Sequence, residues 1–79
     1  MTFEDFKLNW QTVVLTNKPD YIRKGQSLMN YLGEVWLEEY NRISSMHYYE
    51  SSDIDCFYND GLVNNTLEHL EKTWANYPN

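Results

Sequence analysis

The chain is poor in the residues that staple, bend or loosen a fold. One cysteine, Cys56, leaves no route to an intramolecular disulfide. Two prolines and three glycines are too few for a linker-like or disordered protein. No apolar run approaches the ~20 residues that span a bilayer. The start, Met1-Thr2-Phe3-Glu4-Asp5, is acidic and amphipathic where a secretory leader is basic and then apolar. A cytoplasmic location and no membrane partner are therefore expected, and the Asn64-Asn65-Thr66 glycosylation sequon reads as chance. Cations are scarce too: 6 Lys and Arg against 12 Asp and Glu give a net charge of −6, with an isoelectric point near 4.6. That balance opposes direct contact with nucleic-acid phosphates, whose affinity comes from cationic side chains, and with anionic lipid. It fits plain solubility, a basic protein partner, or mimicry of DNA charge.

What the chain does have is aromatic mass: three Trp, three Phe and seven Tyr, 16% of 79 residues. A chain this small forms one domain, 1–79, and buries only about 60% of its unfolded surface. Large rings, each bringing roughly 150–250 Å² of burial, let it build a core without staples.

Spacing places those rings on helices. Thr2 with Asp5 three residues later resembles a capping box. Phe3, Phe6, Trp10, Val13 and Val14 then follow at steps of three and four, one helical face, and the helix predicted over 2–17 stops before Pro19. Pro19 suits a first helical turn, with Asp20 favourably placed at its positive end. The stripe Ile22, Leu28, Met29, Leu32, Val35, Trp36, Tyr40 and Ile43 predicts a second helix over 19–44. Gly25 and Gly33 inside it each cost roughly 0.5–1 kcal/mol relative to Ala, so a neighbour must approach closely there. Residues 44–60 show no helical period, and a short helical turn is expected near 53–58, capped by Asp53 or Asp55 and anchored by Phe57. A third helix over 60–77, with Asp60 as its N-cap, presents Leu67, Leu70 and Trp74 on its apolar face. The fold class is all-α, a three-helix bundle or orthogonal three-helix domain. Trp10, Leu28, Leu32, Trp36, Phe57, Leu67, Leu70 and Trp74 are its predicted core.

Signatures of chemistry are missing. An EF-hand loop begun at Asp53 would need oxygen ligands at positions 1, 3 and 5, glycine at 6 and a carboxylate at 12. Positions 5, 6 and 12 are Phe57, Tyr58 and Asn64, so these residues read as turn and cap chemistry. His47, His69 and Cys56 carry no context for a Cys/His hydrolase. His69 is expected at or near the solvent-facing side, and Cys56 as a small buried hydrophobe. Glu38-Glu39 and Glu68 with Glu71 read as solvated surface. There is no Gly-rich phosphate loop, no zinc spacing and no nucleophile elbow. No enzyme, cofactor or metal is expected. Met46, His47, Tyr48 and Tyr49, in the stretch without a period, form the candidate interaction surface, because tyrosine offers apolar area and a hydroxyl together.

Arg23-Lys24-Gly25-Gln26-Ser27-Leu28-Met29-Asn30-Tyr31-Leu32 resembles a segment of short uncharacterised bacteriophage and bacterial proteins. There an Arg-x-Gly-Gln precedes a Phe/Leu-Asn-x-Leu run, an Asp-x-Asp-Pro-Phe-Tyr-x-Asp stretch, and a final helix ending in Trp. Here the second stretch reads Asp53-Ile54-Asp55-Cys56-Phe57-Tyr58-Asn59-Asp60, with Cys56 in place of the proline. The resemblance spans roughly residues 20–75. It implies a viral or virus-like source and a compact helical fold, with no biochemical activity attached.

The function expected is a small acidic helical protein-interaction module, in the setting of a phage accessory protein that binds a host or phage protein, with a homo-oligomer as corollary of the thin core. One alternative is a DNA mimic that inhibits a nucleic-acid-binding protein. Against it, Lys7, Lys18, Arg23, Lys24, Arg42 and Lys72 interrupt the carboxylates. A second alternative is a small-ligand binder or enzyme with its site at an oligomer interface.

Overall fold

Thr2 opens the first helix as its spacing predicts: its Oγ1 accepts the Asp5 amide at 3.1 Å. The computed structural model describes residues 1–49 and 53–78, and the side chains of 46–49 lie outside that description. Helix α1 runs over residues 3–17 in three pieces, α-helical at Phe3–Asn9, π-helical at Trp10–Val14 and α-helical again at Leu15–Asn17. Helix α2 is Lys24–Val35, α3 is Leu37–Tyr49 and α4 is Val63–Thr73. Single 3₁₀ turns, Asp60–Leu62 and Trp74–Asn76, flank α4. The described residues are all-α.

The predicted second helix differs at three places. Residues 19–22 form a turn, with the Ile22 amide on the Pro19 carbonyl at 3.0 Å, and the helix starts at Lys24. The helix then breaks at Trp36, whose φ of −149° and ψ of 78° leave the helical region. That single extended residue turns the chain from α2 into α3 and carries the Trp36 ring edge-on to Trp74, with centroids 5.4 Å apart. Finally, α3 continues past residue 44 to Tyr49, so the irregular stretch is shorter than its lack of periodicity suggested.

The core gathers around Trp74. Phe6 lies 5.0 Å from it between centroids, Phe3 meets it edge-on at 5.9 Å and Tyr77 stacks on it at 4.8 Å. The Trp74 indole N–H donates to the Met1 carbonyl at 2.9 Å, so the ring's polar edge is satisfied. Leu28, Met29 and Leu32 from α2, Ile43 from α3 and Leu70 from α4 are fully buried beneath these rings. Every predicted core residue is buried except Phe57, which is partly buried and packs against the cluster.

The connection between α3 and α4 is held by close approach. Gly25 stands so near the loop that a Cβ on it would lie 2.1 Å from the Cys56 carbonyl oxygen. Its amide donates to Asp60 Oδ1 at 2.8 Å, and the Cys56 thiol donates to its carbonyl at 3.3 Å. Asp60, expected to cap the last helix, thus caps α2 across the fold, while Asn59 Oδ1 accepts the Gly61 amide to open the 3₁₀ turn. Asp55 does serve as a local acceptor, taking the Phe57 amide at 3.0 Å. One tight turn comes next, Asn59 amide to Cys56 carbonyl at 3.2 Å, in place of the helical turn expected at 53–58.

Candidate functional site

The expected interaction surface at Met46, His47, Tyr48 and Tyr49 lies on the last turns of α3, and its side chains fall outside the described set. The site that the described residues do build lies between α1 and α2, and the π-helical stretch makes it.

Gln11-Thr12-Val13-Val14 is a poor helix sequence: three β-branched residues in a row crowd the preceding turn. Trp10 is held inward by its indole N–H on Ser27 Oγ at 3.1 Å, with the Lys24 ammonium 5.9 Å from its ring centroid. Beyond this anchor the turn widens, and the Leu15 amide reaches back to the Trp10 carbonyl, five residues away. Side chains take up the carbonyls: Asn17 Nδ2 donates to the Val13 oxygen and Thr16 Oγ1 to that of Thr12, each at 2.8 Å. Such back-bonding by Thr and Asn is what competes with a regular helix.

The wider turn holds more residues than an α turn, so the residues beyond it rotate away from the α-helical register. Val13, which a regular helix would place with Phe3, Phe6 and Trp10, is instead 48% exposed. It walls a cleft of about 310 Å³ with Val14, Pro19, Ile22 and Tyr31. Asn17, Lys18, Asn30 and Glu34 form the rim, and Ser27 lies at the floor. Tyr31 is fixed by stacking on Phe6, centroids 4.9 Å apart, and by accepting a hydrogen bond from Asn9 Nδ2 at 2.6 Å. The cleft is thus an open, mainly apolar groove with Tyr31 held in place on one wall, of a size that seats a side chain or a short peptide segment.

A second cluster joins α3 to α4. Glu39, read from sequence as solvated surface, is 2% exposed. Arg42 reaches its Oε1 at 2.6 Å, while His69 Nε2 lies 2.8 Å and the Thr73 hydroxyl 3.3 Å from its Oε2. Thr73 bonds to the carboxylate and not to His69, so this is no nucleophile–base pair; it is a polar clasp inside the bundle. Sequence reasoning missed it because consecutive glutamates look alike. The only signal was spacing: Glu39 sits between Trp36 and Ile43, three before and four after, on the buried face.

Cys56 is fully buried, and desolvation pushes its thiol pKa above the ordinary value of 9.0, which describes an unreactive thiol. Among the described residues, no three His, Cys, Asp or Glu side chains converge as a metal would need. No described helix is long and apolar enough to cross a membrane. Comparison with family models, curated proteins and solved structures yields no match.

Proposed function

We propose that this protein is a small acidic helical protein-interaction module whose docking site is the α1–α2 cleft. The displaced Val13 carries the reading: an apolar residue at core spacing is turned out to wall a groove beside Ile22 and Pro19. π turns are rare and concentrate at functional positions, and apolar grooves with a polar rim are what protein partners use. The resemblance of residues 23–32 and 53–60 to phage and bacterial proteins sets the proposal as a phage accessory protein acting on a host or phage protein.

The test is a pull-down from lysate of phage-infected host cells with wild-type protein and with Val13→Asp. Val13 is half exposed, so the variant keeps its helicity while placing a charge in the groove. A protein retained by wild type and lost by the variant supports the cleft. A protein retained equally by both, or none at all, overturns it.

A further inference from the structure

We infer that Asp60-Gly61 is a self-modification site: when the turn at 59–62 opens, the chain isomerises there to isoaspartate and α2 loses its cap. The chain holds five aspartates, and Asp60 alone is followed by glycine; Phe6, Tyr21, Ile54 and Cys56 follow the others. No asparagine precedes a glycine. A residue without a Cβ leaves its amide nitrogen unshielded and its backbone free to turn toward the preceding carboxyl, so cyclisation concentrates at this one bond.

The reaction needs only water. The Gly61 nitrogen bonds to Asp60 Cγ and gives up its proton, one carboxyl oxygen leaves as water, and a succinimide ring results. Water then adds back. Cleavage between Cγ and nitrogen restores aspartate, whereas cleavage between the Asp60 main-chain carbonyl carbon and nitrogen leaves isoaspartate, an isomer of equal mass. In that product the main chain runs through Cβ and Cγ, and the free carboxylate hangs from Cα.

The fold holds the reacting groups apart. The Gly25 amide donates to Asp60 Oδ1 at 2.8 Å, which turns the carboxylate toward α2. The Gly61 amide donates instead to Asn59 Oδ1 at 2.9 Å. The turn between them is closed by the Leu62 amide on the Asn59 carbonyl at 3.1 Å and by the Val63 amide on the Asp60 carbonyl. Ring closure requires Asp60 to leave this 3₁₀ backbone, so isomerisation proceeds only through the open fraction of the segment. Asp60 and Gly61 are exposed, so water meets the ring as it forms. The step is one-way for the fold, because the carboxyl that capped Gly25 has become a main-chain amide.

The experiment ages wild type and Asn59→Ala at neutral pH, folded and in urea, with circular dichroism confirming the folded samples. Isoaspartate is counted by methyl transfer from S-adenosylmethionine with an isoaspartyl methyltransferase and located by peptide mapping. In urea it should accumulate at residue 60 before any other position, and folded wild type should be at least about tenfold slower. Asn59→Ala, which frees the Gly61 amide at an exposed position, should age faster than folded wild type. The isolated isomer should exchange its Gly25 amide faster than fresh protein. Equal rates folded and unfolded, isoaspartate arising first elsewhere, Asn59→Ala no faster than wild type, or an isomer that keeps its Gly25 protection each overturns the inference.

Discussion

Glu39 on α3 and His69 on α4 meet with 2.8 Å between Oε2 and Nε2, and the carboxylate is 2% exposed. Its neighbour Glu38 is exposed. Glu39→Ala removes the acceptor of three donors and should cost about 1–3 kcal/mol, read by urea unfolding. Glu38→Ala should stay within about 0.5 kcal/mol. Equal effects would mean that the clasp adds nothing to stability.

The two glycines of α2 should respond in opposite directions. Gly33→Ala meets only the Tyr40 ring at 3.6 Å, an ordinary contact, so the gain in helix propensity should stabilise by about 0.5–1 kcal/mol. Gly25→Ala drives a methyl into the Cys56 carbonyl and should destabilise by about 1–3 kcal/mol despite the same propensity gain. Thermal melts of the pair would settle whether close approach or propensity governs each position.

Asp60 acts as an N-cap delivered from 35 residues away. Asp60→Ala should cost about 0.5–2 kcal/mol, the range of an ordinary cap. Asp60→Asn keeps the acceptor oxygen and should lose less. Hydrogen exchange at the Gly25 amide should accelerate in the alanine variant; unchanged exchange there would show that the cap is dispensable.

Burial raises the Cys56 thiol pKa above 9.0. Between the unfolded and folded pKa values the unfolded chain binds fewer protons, so stability falls as pH rises. The contribution is complete below the unfolded value and is lost as pH climbs from about 9 through the folded one. The stability gap between wild type and Cys56→Ala should therefore narrow at alkaline pH. Thiol reagents should label Cys56 only as the protein unfolds; rapid labelling of folded protein would contradict the buried placement.

Much of this architecture was legible in the sequence. Thr2 at the cap, the 3–4 spacing of Phe3, Phe6 and Trp10, and the stripe of Leu67, Leu70 and Trp74 are local signals, and the structure follows them. The hidden parts depend on tertiary context. Trp36 sits on a continuous apolar stripe, and its excursion from helix follows from the place of its ring against Trp74 and Tyr77. Asp60 is a good local cap, but a glycine amide from another helix competes for its carboxylate and wins. The cleft was the least visible element, because Val13 fits the core face of an ordinary helix and is turned out only where the helix widens into a π turn.

Val13 is therefore claimed by two surfaces, and the fold settles the claim by spending one residue on a wide turn. A chain shortened by Thr12 could close that turn into regular helix, swing Val13 inward and gain stability. It would do so by sealing the groove. The stretch Trp10–Val14 thus marks where a regular helix and an open cleft exclude each other, since the same turn cannot supply both.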